Sequence, residues 1–430
     1  MKISILYNVV LSSLTIFSSV NAQGSGQKCS RLVERKEIRD LSPQEWSQIR
    51  SVLNKLQQDG TFERITTLHT EQFPIGHNCA TLFPLHRQIV RDFEKAGQVY
   101  DSNFFVPYWD AARDFQDPAN SGIFNNNLIG GNGNPMSDNC VTDGLQSKWS
   151  MAYTTPHCLR RVFNGGNNSI KPWYSPEYIS SILQTSADYE KFREAMEFTI
   201  HGAVHLGFGG EMITMQSSND IGFYLHHANL DRLWWKWQNS NPNNLMSYGG
   251  NNLANNSPAK LDDKLPGYNQ NAKNVMILGY NDMCFNYGDV VPLESLRSDN
   301  PALSNFRSSG ASSSQVLKSG TIPNFRLSTI SNKLRTLNNS TLEKFFPAIK
   351  NGEINPNLFD FNFGSTVANL KNLKRSSQKK EKKKLPLPEM PPDSFIKMHN
   401  YNKNRVKSVV GRATEFAKKL NEEGYESPFW

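Results

Sequence analysis

The sequence predicts a mainly α-helical fold broken by long irregular loops, and three observations lead there. Apolar residues recur at helical spacing near both ends of the chain, two histidines stand one helical turn apart in its middle, and two stretches of Asn, Gly, Ser and Pro are too biased to be regular elements. Ser42-Pro43-Gln44-Glu45 begins the first helix: Ser caps, Pro takes the first position and Glu stands three residues after the cap. Trp46, Ile49, Leu53 and Leu56 then line one face. The loop stretches run from Asp117 to Asp143 and from Asn239 to Asn256, and the first reads as a long surface loop of the kind that often serves as a functional lid. From about Ser298 to Lys384 the chain is Ser- and Asn-rich without a sustained apolar period, which predicts a low-complexity insertion or linker. Val406, Val409, Val410, Ala413, Phe416, Ala417 and Leu420 restore a helical stripe, with Gly424 and Pro428 as stop signals. The expected organisation is a leader over 1–22, a main domain over 23–297, the insertion over 298–384 and a segment over 385–430 that packs back on the main domain.

With 20% charged and 37% hydrophobic residues, the 430-residue chain is not wholly disordered, collagen-like or a coiled coil. The net charge of +8 suggests an acidic partner until its distribution is considered. Eight basic residues and one acid lie between Lys371 and Lys384, a local balance of +7 that leaves only +1 elsewhere. No nucleic-acid partner is expected. The first residues, MKISILYNVVLSSLTIFSSVNAQ, combine an early Lys, an apolar run diluted by serines and a small-residue site at Val20-Asn21-Ala22, the pattern of a secretory signal peptide. No later stretch has the length of a membrane span, so a secreted protein without a membrane partner is expected. Sequons at Asn167, Asn255, Asn338 and Asn339 fit a glycoprotein. Five cysteines allow at most two disulfides and leave one over.

The histidines carry the chemistry. Eight of nine lie between His69 and His227. His201 and His205, four apart, share one helix face and can meet one ion; His227 adds a third imidazole. Gly202 stands where a zinc protease motif needs Glu, which excludes that reading. His69, His77 and His86 form a second set. Nine residues separate His77 from His86, about half a turn apart on an ideal helix, so the helix must break between them. Pro84 is the expected break, with His77 on a loop and His86 in the first turn of the following helix. Two three-histidine sets favour Cu, Zn, Ni or Fe over Mg or Ca. His157, His226 and His399 read as structural.

Leu82-Phe83-Pro84-Leu85-His86-Arg87, Val106-Pro107-Tyr108-Trp109-Asp110, and the run from Asn219-Asp220 through Phe223-Tyr224-Leu225-His226-His227 to Asp231-Arg232-Leu233-Trp234 resemble segments of the tyrosinase and catechol oxidase family. Pro156-His157-Cys158-Leu159-Arg160-Arg161 and the ending Asn421 to Pro428 are similar to short secreted fungal members. The resemblance covers about Cys29 to Tyr287 and the last forty-odd residues. It implies a four-helix bundle holding a type-3 dicopper centre, with two copper ions, a small phenolic substrate and O2. His69, His77 and His86 would bind copper A, and His201, His205 and His227 copper B. Asp220 and Asp231 would fix ligand imidazoles, Phe223 would pack beside the site, and Glu197 matches an acid that holds a water near copper B. Ile75 replaces the cysteine that many members join to the second copper A histidine, Cys79 lies two residues after that histidine instead, and Leu85 replaces a tryptophan.

The resemblance implies oxidation of o-diphenols to o-quinones; a hemocyanin-like oxygen carrier is the alternative, separated by catechol turnover. Gly202 and Leu206, which follow the first two copper B histidines, offer no polar group to orient a proton acceptor, so diphenols or o-aminophenols are expected over monophenols. The oligomeric state is left open.

Overall fold

The computed structural model describes residues 26–293, 330–353, 355–360 and 384–429. The leader expected over 1–22 and most of the basic run lie outside the described residues. Helix α1 (Pro43–Gln58) starts on the expected capping box: Glu45 N–H donates to Ser42 Oγ at 3.2 Å and Ser42 N–H donates to Glu45 Oε2 at 2.8 Å. Its stripe of Trp46, Ile49, Val52, Leu53 and Leu56 faces the core.

Helices α2 (Thr61–Gly76), α3 (Leu82–Gln98) and α7 (Ile221–Gln238) form three sides of the central bundle. The fourth is a composite rod. Helix α5 (Tyr189–Met196) runs into a π-helical segment, Glu197–His201, which continues as α6 (Gly202–Phe208). A π turn widens the helix by one residue and re-aims what it carries, and such turns gather at functional positions. Helix α4 (Pro176–Thr185) packs outside the rod. Strands are few among the described residues: β1 (Val33–Arg35) pairs in parallel with β4 (Phe285–Tyr287), and β2 (Ser150–Met151) pairs antiparallel with β3 (His157–Cys158). The fold is mainly α, as the sequence predicts. Disulfides join Cys29 to Cys284 and Cys140 to Cys158, while Cys79 is free and buried.

Three expectations need correction. The helix break between His77 and His86 comes from residues 77–81, not from Pro84. Pro84 is the third residue of α3, inside the first turn, where no intrahelical N–H bond is lost; His86 is therefore the fifth residue of that helix. The stretch 117–143 is not a free lid. Buried Arg161 ties it down, donating to the carbonyls of Ile129 (3.0 Å), Gly130 (2.7 Å) and Gly131 (3.2 Å). Within 298–384, the described residues 330–353 and 355–360 are built into the core rather than looped out. Helices Asn339–Phe345 and Pro347–Lys350 bury Leu342, Phe345, Phe346 and Ile349 beside Leu334 and Leu358. Their apolar residues lie in short runs separated by turns, so no long period marks them.

The helix Lys403–Glu422 lays the second half of its stripe against this layer, with Phe416 edge-on to Tyr178 of α4 and to Phe345, while Val406, Val409 and Val410 cluster with Phe198 and Phe395. Tyr425 Oη donates to buried Glu177 at 3.2 Å. Ahead of it the short helix Asp393–Met398 brings Phe395 and His399 against the central bundle.

Candidate metal centre

The bundle brings the six histidines together as two triads. The ring nitrogens of His69, His77 and His86 offer ligand atoms within 4.8 Å of one another, as do those of His201, His205 and His227. Each side chain arrives from a different setting. His69 is mid-helix on α2, His77 caps the end of α2 in extended backbone, and His86 is near the start of α3. His201 ends the π segment, His205 lies one turn on in α6, and His227 is mid-helix on α7. The triads meet where the His86 and His227 rings stack, with centroids 4.1 Å apart and planes at 12°.

The hydrogen bonds show which ring nitrogen is free. The Nδ1 atoms of His69, His77, His86 and His205 donate to the carbonyls of Met215 (2.8 Å), Phe73 (3.2 Å), Leu82 (2.7 Å) and Met212 (2.7 Å). That fixes the tautomer and leaves each Nε2 lone pair bare. The Nε2 atoms of His69, His86 and His201 are buried without a partner, and those of His205 and His227 face each other at 3.4 Å. Orphaned buried acceptors are costly unless a cation meets them. Burial drives His69 and His205 down to about 4, with neighbouring His205 adding to the effect on His69. Burial first, then nearby imidazoles, push His77, His86, His201 and His227 well below the usual histidine range. No ring of the six is more than 5% exposed. Six neutral, buried, outward-free imidazoles in two sets fit a pair of copper ions.

Phe223 lies where expected. Its ring is 4.9 Å edge-on to His69, 5.9 Å from His86 and 4.3 Å from His227, so it touches both triads. The expected carboxylate partners do not contact the rings. Asp220 caps α7 through Gly222 N–H and takes two bonds from Arg161, at 2.7 and 2.8 Å. Asp231 serves Arg87, Arg35 and Tyr287. Both acids therefore fix the helices that carry ligands, while backbone carbonyls orient the rings themselves. Glu197 is buried, with Oε1 accepting from Asn78 N–H (2.6 Å) and Oε2 paired with Arg193. Burial raises its pKa and Arg193 pulls it back.

The site also includes a residue read as structural from sequence. His399 is edge-on to His77 at 5.5 Å and to His201 at 6.4 Å. It arrives from the far end of the chain, and no local pattern marks it. His226 supports the rod through a 3.3 Å contact of its Nε2 with the His201 carbonyl, and His157 pairs with Glu211 at 2.9 Å away from the triads. Gly202 faces Phe395: a Cβ there would meet its ring at 3.4 Å and the Glu197 carbonyl at 3.5 Å. Leu206 packs into the same apolar cluster as Phe395 and Tyr401.

A family model described as the common central domain of tyrosinase matches residues 59–240, which hold all six histidines. Tyrosinase ustQ of Aspergillus flavus is 32% identical over 285 residues, covering 60% of this chain and 79% of that protein. The tyrosinase of Streptomyces antibioticus is 28% identical over 243 residues, covering 50% of this chain and 86% of that protein. A polyphenol oxidase structure from Thermothelomyces thermophila aligns at TM-score 0.48 with 21% identity, over 60% of this chain and 88% of that one. With its two histidine triads and this match to most of a fungal relative's length, the chain belongs to the tyrosinase family and is a tyrosinase-family copper protein.

Proposed function

We propose that the protein is a dicopper oxidase that converts o-diphenols and o-aminophenols to the corresponding quinones and quinone imines with O2, and acts only weakly on monophenols. His69, His77 and His86 hold copper A; His201, His205 and His227 hold copper B. The observation that carries this reading is the pair of buried triads, joined at the stacked His86 and His227 rings, with bare Nε2 atoms in each. Bound there, a copper pair supplies the redox chemistry that couples phenol oxidation to O2 reduction. Two diphenols release four electrons and four protons, enough to reduce one O2 to two waters.

The chain's own residues do the positioning. Carbonyl bonds to Nδ1 hold four of the rings in one tautomer, and Phe223 keeps water from the space between the triads. The preference for diphenols rests on the wall beside copper B. A monophenol must give up its proton before it is oxygenated, which needs an oriented acceptor. Gly202 supplies no side chain, Leu206 is apolar, and the Phe395 ring that borders position 202 is apolar too. O2 uptake by the copper-loaded protein tests this. Rapid uptake with catechol and slow or lagging uptake with a tyrosine-like phenol are expected; equal rates on both would contradict it.

Passage through a secretory route is part of the proposal. The leader-like residues 1–22 and the exposed sequon asparagines Asn167, Asn255 and Asn338 support it. Mass spectrometry of the product from a eukaryotic host should find a mature N-terminus near Gln23; an unprocessed Met1 in the exported protein would contradict it.

A further inference from the structure

Glu197 stands on the rod that carries His201, yet its carboxylate reaches across to the other triad. Oε1 accepts the backbone N–H of Asn78, the residue after His77, at 2.6 Å. Oε2 is paired with Arg193, which is itself held by Glu190 through bonds of 2.9 and 2.8 Å. Both Glu197 and Arg193 are fully buried. The carboxylate is therefore fixed at one end and used as an acceptor at the other.

His77 is the ligand that most needs such an anchor. His69 and His86 are held by helices, whereas His77 is extended (φ −121°, ψ 162°) and is followed by Asn78 in the left-handed region at φ 56°. Its ring bond to the Phe73 carbonyl, 3.2 Å, is the longest of the four ring-to-carbonyl bonds. From the other side, Asn78 Nδ2 donates to the Asn400 carbonyl at 2.7 Å.

Resting on the copper reading above, we infer that Glu197 is a positioning residue for copper A: it holds the His77 turn against the rod that bears copper B. The two triads are thus tied by a carboxylate-to-backbone bond as well as by stacked rings. A purely structural ion pair would depend on the charge of residue 197. A positioning role depends on its reach.

Two variants separate these. Glu197→Asp keeps the charge opposite Arg193 but withdraws the acceptor by one methylene. Glu197→Gln keeps the reach and loses the charge. Copper per chain is measured after dialysis against a chelator of graded strength, with the melting point of each apoprotein. Glu197→Asp should weaken copper A by roughly 10- to 100-fold and fall from two coppers to one. Glu197→Gln should stay close to native. Glu197→Asp combined with His205→Ala should then hold no copper, and combined with His86→Ala should still hold one. Native retention by Glu197→Asp, equal loss by Glu197→Gln, or loss of the remaining copper in the His86→Ala background each overturns the inference. If Glu197→Gln does not fold, the two histidine backgrounds decide alone. Fewer than two coppers in the native protein would sink the proposed function and this inference with it; two coppers with an unaffected Glu197→Asp would sink only the inference.

Discussion

Each triad offers three imidazoles, but the two are built differently. His201, His205 and His227 all sit on the composite rod and α7, so their positions come from helices, with the Met212 carbonyl orienting the His205 ring. His69, His77 and His86 span a mid-helix position, a helix end and a helix start, with His77 in extended backbone between the other two. A site carried on a continuous helical rod is aimed mainly by the helix's own hydrogen bonds. A site that includes a turn needs contacts from elsewhere in the chain, and here they come from Glu197 and Asn400.

The largest effects should come from deleting a ligand on either side. His86→Ala and His205→Ala should each hold about one copper per chain and lose catechol oxidation, because each removes one of three donors. Metal analysis and O2 uptake check this, and full copper in either variant would break the assignment. Phe223→Ala should strike both triads at once, because its ring touches His69 and His227 alike. A cavity of that kind costs about 3–5 kcal/mol, read as a fall in the urea midpoint of the apoprotein. If only one copper were weakened, the shared wall would be wrong.

This difference also decided what could be read in advance. The i, i+4 spacing of His201 and His205 is a direct statement about one helix face, so that triad was legible in the residues. The nine-residue gap between His77 and His86 says only that a helix must break, and Pro84 is the visible signal for that break. The actual turn rests on Asn78, whose left-handed backbone has no such marker in one sequence. The ring partners were missed for a related reason. Asp220 and Asp231 are conspicuous acids, whereas the carbonyls of Met215, Phe73, Leu82 and Met212 are common to every residue. The mainly helical fold was legible from the stripes of α1 and of Lys403–Glu422. The layer at 330–353 and 355–360 and the approach of His399 depend on tertiary packing that no local period reports.

Smaller effects should appear with acid. His69, from copper A, and His205, from copper B, are both held down to about 4 by burial, against about 6.5 in an unfolded chain. Between those values the unfolded chain binds more protons, so apoprotein stability present above about pH 6.5 is lost as the pH falls toward 4. Each ring contributes up to roughly 3 kcal/mol to that loss. His69→Phe and His205→Phe should therefore flatten the pH dependence of the melting point by similar amounts, and a one-sided effect would show that burial differs between the triads. The smallest change expected is from Gly202→Asn. It should raise monophenol uptake modestly, because a Cβ at 202 would meet Phe395 only at ordinary contact distance, 3.4 Å; no gain would show that position 202 does not set the preference.

O2 uptake by the copper-loaded protein with catechol in excess, followed together with quinone absorbance, tests the proposed chemistry most directly. Two coppers held by these six histidines and acting on o-diphenols predict one O2 consumed for every two quinones formed. Reversible O2 binding with no catechol consumed would contradict it and assign the two triads to oxygen carriage instead.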